Sequence, residues 1–129
     1  DLIIGTQPHT IQTMEYLDKP DGGKAFVAYS LGNFISAQSF NLTMVGGLID
    51  LNVKKEGSTG KISIEDVKCI PIITHYDAGY KNIRNYPYSM YNEQLAKQHG
   101  IHSTKQWFDM KFIDKMVNEN IPEEFRCLK

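Results

Sequence analysis

The sequence predicts an α+β fold in which mainly antiparallel strands come first and two helices follow. Three observations predict it. Up to residue 75, apolar residues recur either as short continuous runs or with a period of two, which is strand periodicity. Breaks rich in Gly, Pro and Asp separate those runs at hairpin spacing, at Lys19-Pro20-Asp21-Gly22-Gly23 and again at Glu56-Gly57-Ser58-Thr59-Gly60. After residue 88 the spacing becomes helical. Strands grouped first and helices second argue for helices packed on one side of the sheet.

The elements follow in order. Leu2 to Ile4 reads as a short buried strand, ended by Gly5. Ile11 to Leu17 alternates as a strand with one wet face. Pro20 fixes φ and Asp21-Gly22 supplies a left-handed position, so residues 11–18 and 24–31 are expected to form a hairpin. Ala25 to Leu31 is apolar in both phases and should be covered on both faces. Residues 36–43 read as an irregular loop. Gly46-Gly47 opens a strand in which Ile49, Leu51 and Val53 alternate with Asp50, Asn52 and Lys54. The return strand begins with Ile62 and Ile64 in phase. It slips at Glu65-Asp66, because Val67 and Cys69 fall on the other phase, so a β-bulge is expected there. Pro71 should lie on an edge or at a strand end. Tyr76 to Tyr88 reads as a loop. Ser89 should cap a helix that runs to about His99, with Gly100 closing it. Ser103 to Gln106 matches a capping box. The helix after it places Phe108, Phe112 and Met116 beside Met110, Ile113 and Val117, with Asp109, Asp114 and Lys115 toward water. Ile121-Pro122 ends it.

Composition narrows the function classes. At 129 residues the chain has the size of one domain, with 41% hydrophobic and 22% charged residues, ordinary values for a globular protein. Its net charge of −1 argues against a nucleic-acid partner, which calls for a basic stripe. Scattered lysines argue against an anionic-lipid patch. No apolar run is long enough for a transmembrane helix. Cys69 and Cys127 lack metal-ligand spacing. Cys69 reads as a small buried hydrophobe, and a bridge between the two is left open.

Two strand ends carry the candidate chemistry. Asp1-Leu2-Ile3-Ile4-Gly5-Thr6-Gln7-Pro8-His9-Thr10-Ile11-Gln12 ends in a Pro-His turn. Ala28-Tyr29-Ser30-Leu31-Gly32-Asn33-Phe34 ends in Gly-Asn. Side by side, they would bring His9 and Asn33 to one rim of a sheet. On the local sequence His9 reads first as a turn histidine bonded to backbone, and second as a metal or substrate ligand. Asn33 suits an orienting amide, and equally a residue tolerant of the turn after Gly32. His75, His99 and His102 show no partner spacing. His75-Tyr76-Asp77 reads as solvated loop, and His99 suits a helix C-terminus. Tyr80, Tyr86, Tyr88 and Tyr91 suit packing of a long loop more than a binding groove.

These two segments, followed by Gly46-Gly47-Leu48, resemble the bacterial capsule-synthesis protein A, or poly-γ-glutamate biosynthesis (PGA_cap-type), family, whose members look like relatives of the metallophosphoesterases. The resemblance covers roughly residues 1–75. It implies the C-terminal part of a metallophosphoesterase-like α/β sandwich at residues 1–75, with residues 76–129 as a loop and two helices packing on it. It implies that an N-terminal half of the same domain is missing. The start at Asp1, directly into an apolar run with no Met, also reads as a fragment. His9 would then be a catalytic residue and metal ligand and Asn33 an orienting catalytic group. Gln7, Gln12 and Ser30 would line the substrate, although Ser30 has no nucleophile-elbow pattern and reads as structural, and Gln12 reads more readily as a pin for the turn. The parent would hold a divalent ion (Mn, Zn or Fe), with none expected on this fragment. It would act in the cell envelope, membrane-anchored, on a polymer such as poly-γ-glutamate. Its partners would be the missing half and, through exposed apolar surface, a further copy of itself. Some relatives carry a second His where Thr6 and Gln7 stand here. That favours an alternative, a non-catalytic scaffold or polymer-binding component of a capsule synthesis and export complex.

Overall fold

The computed structural model describes residues 1–129, and its fold is α+β. Six strands form two three-stranded sheets, and two α-helices follow. In the first sheet β3 (Lys24–Ala28) lies between β1 (Leu2–Ile4) and β2 (Met14–Asp18). β1 runs parallel to β3, and β2 antiparallel to it. The hairpin forms where the Pro20–Gly23 turn puts it. Its ladder continues beyond the regular strands through Tyr29 N–H to the Thr13 carbonyl and Gln12 N–H to the Ser30 carbonyl, an extension that reaches the expected arms. Being central, β3 buries Phe26, Val27 and Ala28.

In the second sheet β5 (Ile62–Asp77) lies between β4 (Val45–Lys55) and β6 (Lys81–Pro87), all antiparallel. The register slips between the pairs Asp50↔Lys68 and Asn52↔Glu65. Asp66 takes φ 54° there and accepts from the Asn52 amide at 2.8 Å. This is the bulge that the phase change at Glu65-Asp66 predicts. Gly47 N–H donates to the Leu31 carbonyl at 2.8 Å, which ties the second sheet to the end of the first.

Five expectations are corrected. Tyr76–Tyr88 is not a loop: β5 runs to Asp77 and β6 returns along it, turned by Gly79 and Tyr80, both at positive φ. β6 is an edge strand rich in Lys81, Asn82, Arg84 and Asn85, and polar edge residues mask strand periodicity. Pro71 sits inside β5, opposite Gly47. The β6 ladder ends at Ile72↔Pro87, and the next flanking contact is Cys127 N–H to the Cys69 carbonyl at 2.9 Å. Proline thus falls in a gap where that flank has no strand to receive a donor. The first helix, α1 (Glu93–Gln98), is capped by Asn92 rather than Ser89, its side chain accepting from Leu95 N–H at 3.0 Å. Ser103 caps nothing either. It lies in a 3-10 turn, Gly100–Thr104, and donates to the Gly100 carbonyl. Lys105, at φ 61°, stops that turn. Asp109, expected toward water, caps α2 (Met110–Asn120) by accepting from Phe112 N–H at 2.7 Å.

The core joins both sheets and both helices. Ile11, Met14 and Phe26 from the first sheet meet Val45, Cys69 and Ile73 from the second, with Ile101, Ile113 and Val117 above them. Tyr16, Phe26 and Phe125 form an aromatic triangle with centroid distances of 5.3–5.9 Å. Both cysteines are free. Cys69 is fully buried, which pushes its thiol up to about 12.

Candidate functional site

The sequence builds the site from turns that fix backbone direction. After β1, Pro8 and a His9 N–H to Thr6 carbonyl bond of 3.1 Å close a tight turn. His9 adopts φ 60°, a left-handed conformation that costs roughly 1 kcal/mol in a non-glycine residue. After β3, Gly32 takes φ 69°, and a side chain there would stand 3.0 Å from Ile11 N and 3.1 Å from the Val45 carbonyl. The two turns lie together. His9 Nδ1 is 2.7 Å from Asn33 Oδ1.

The hydrogen-bond chain fixes the tautomer. Asn33 Nδ2 donates to Gln38 Oε1 at 2.8 Å and to the Thr43 carbonyl at 3.3 Å. A carbonyl only accepts, so the amide nitrogen must face it and Oδ1 must face His9. His9 therefore donates through Nδ1–H, and its Nε2 keeps a lone pair. This is the arrangement in which a carbonyl-type partner prepares an imidazole for a ligand. His9 is exposed and Asn33 half-buried. They line an open pocket of about 350 Å³ with Thr6, Gly32, Phe34 and Leu48. Nε2 can accept a proton or a hydrogen bond, or coordinate a cation.

The other candidates differ in placement. Ser30 is buried, and its Oγ accepts from Gly32 N–H at 3.1 Å. It shapes the turn that presents Asn33. Gln12 is exposed and pins the hairpin through its backbone N–H. Gln7 is exposed on the turn before His9. Gln38, the partner of Asn33, has no sequence signal, because it lies in the irregular segment 36–43. The Tyr76 hydroxyl donating to the Gln38 carbonyl at 3.2 Å holds that segment down.

His75 and His99 are structural. His75 is buried rather than solvated, its Nδ1 2.8 Å from the Tyr91 hydroxyl. His99 Nε2–H donates to the Thr74 carbonyl, and its Nδ1 accepts from Ile101 N–H, each at 2.9 Å. Burial lowers the pKa of both, that of His99 to about 4. Tyr86 and Tyr91 pack edge to face with a centroid distance of 5.6 Å.

No group of three His, Cys, Asp or Glu side chains stands close enough to hold a metal ion. At this rim the chain offers one imidazole, that of His9, where catalytic metal sites use three protein ligands.

Residues 1–38 match the bacterial capsule synthesis protein (PGA_cap) family. The matched segment carries β1, the hairpin, His9, Asn33 and, at its last residue, Gln38. The second sheet and both helices lie outside it. No curated protein and no solved structure matches the chain.

Proposed function

We propose that this chain works in bacterial capsule synthesis at the cell envelope, contributing His9 and Asn33 to a site that handles poly-γ-glutamate or a related polymer. The observation that carries this reading is the oriented His9–Asn33 pair, which lies inside the family-matched segment. The free Nε2 of His9 would bind substrate. It would serve as one ligand of a divalent ion only if another polypeptide segment, the counterpart of an N-terminal half, supplied the rest. The edge of β1 suits such a segment, because Leu2, Ile3 and Ile4 are all exposed there. No helix is long and apolar enough to cross a membrane; a membrane anchor in the parent is part of the proposal. A second reading, a polymer-binding scaffold without catalysis, is favoured by Thr6 and Gln7 where relatives offer a further imidazole.

The test is polymer output in a strain complemented with the complete gene. His9→Ala should abolish output at normal protein level. Its effect on stability should be on the order of 1 kcal/mol or less, because the side chain buries little surface. Asn33→Ala should give a milder loss, water replacing part of the amide's role. Full complementation by His9→Ala, with loss only from packing changes such as Leu51→Ala, which removes a side chain packed against the core, would replace the site reading by the scaffold reading.

A further inference from the structure

Away from His9, the surface between α1, the Gly100–Thr104 turn and α2 holds an open pocket of about 490 Å³. Trp107, the chain's one tryptophan, lines it and is 71% exposed. Its backbone is firmly held. The Asn41 amide donates to the Trp107 carbonyl at 2.9 Å. Lys105 N–H donates to the His102 carbonyl at 3.0 Å, and the next residue, Phe108, is buried 4.8 Å from the His99 ring. An indole carried into water by an anchored backbone, at a concave surface, is apolar area left for a ligand.

The polar groups around it decide which ligand. Glu93 and Asp109 already accept from backbone N–H groups, of Met110 at 3.2 Å and of Phe112 at 2.7 Å. Lys97 stands 3.8 Å from Glu93. His102 donates through Nε2 to the Ala96 carbonyl at 2.9 Å, which leaves its Nδ1 as an acceptor. The Lys105 ammonium, the Gln106 amide and the indole N–H have no protein partner. Two lysines balance two carboxylates in the lining, so neither a polyanion nor a polycation gains from entering. A neutral ring with a flat C–H face and a rim of hydroxyls gains from both parts, the face on the indole and the rim on mixed donors and acceptors. We propose that this pocket binds a saccharide ring, stacked on Trp107 and hydrogen-bonded by Lys105 and Gln106.

The single tryptophan reports directly. Chitotriose and maltotriose should be titrated into the intact chain at millimolar concentrations while Trp107 emission is followed, with poly-γ-glutamate as the polyanionic comparison. A saturable emission change with at least one trisaccharide is expected, with a dissociation constant on the order of 1 mM. Followed by saturation-transfer NMR, Trp107→Ala should weaken binding about tenfold or more and Lys105→Ala severalfold, both with unchanged circular dichroism spectra. No saturable change with either sugar would overturn the proposal. So would binding that survives Trp107→Ala, or saturation by poly-γ-glutamate alone.

Discussion

At the scale of single residues, the neighbouring histidines His75 and His99 lead to opposite chemistry from His9. His9 is exposed, with one nitrogen committed and one free. His99 has both nitrogens committed to backbone groups and lies between Tyr76 and Phe108, at centroid distances of 4.6 and 4.8 Å. The folded state holds it neutral down to about pH 4, against 6.5 for an unperturbed histidine. Between those values the unfolded chain binds the proton and the folded chain does not, so stability falls as pH drops from about 6.5 to about 4 and levels off below. His75, also shifted down by burial, acts in the same direction. The expected loss from His99 is up to about 3 kcal/mol, read from urea denaturation at successive pH values. His99→Phe should flatten this acid limb. It should also cost roughly 1–3 kcal/mol at neutral pH, because the Thr74 carbonyl and Ile101 N–H lose their partner. An unchanged acid limb in that variant would locate the proton elsewhere. None of this was legible in the sequence, where His99 reads as a helix-end cation, because the side chain that decides its burial, Phe108, comes from a different element.

At the scale of elements, strands were legible wherever turn chemistry marked their ends. The Pro20–Gly23 turn gave the β2–β3 hairpin, and the phase slip at Glu65-Asp66 gave the bulge. β6 was not legible, because its polar residues line a solvent edge. The helix caps were misplaced because Ser89 and Ser103 look like caps locally, while packing put the chain reversals at Asn92 and Asp109. The start of β4 couples element to site. A side chain on Gly46 would come within 2.4 Å of the Asn33 carbonyl and 3.1 Å of that of Leu31, both backbone atoms that cannot swing away. Gly46→Ala should therefore destabilise the chain by about 1–3 kcal/mol. It should also displace Asn33, so that the His9 imidazole loses its fixed tautomer in nitrogen-15 NMR spectra. Gly57→Ala, with open space around it, is the control and should leave both readouts unchanged. Equal melting of the two variants would remove the close approach at Gly46 as a determinant of the site.

At the scale of the whole molecule, half of the site was legible. The Pro-His and Gly-Asn strand ends do meet, because a parallel β1–β3 pair places both strand ends on one rim. Gln38 was hidden because an irregular loop carries no periodicity. The cover expected for Ala25 to Leu31 is present: β1 and β2 flank this strand, and the second sheet and Phe125 pack on it. β1, expected to be a buried strand, is instead exposed at all three positions, with Leu2, Ile3 and Ile4 at 39%, 57% and 42%. β1 pairs only with β3, so its other edge presents unpaired N–H and C=O groups next to three large apolar side chains. Parallel strands are ordinarily covered on both faces, and a free apolar edge recruits another strand. The isolated chain should therefore associate through β1, giving a dimer or larger species by light scattering and binding a hydrophobic dye. Ile3→Lys places a charge on that edge without touching the core, and should give a monomer with an unchanged melting temperature. A wild-type chain that is strictly monomeric and binds no dye would show that the β1 edge is inert. An associated Ile3→Lys variant would move the contact to another surface, such as that around Phe34 and Phe40, which are 62% and 59% exposed.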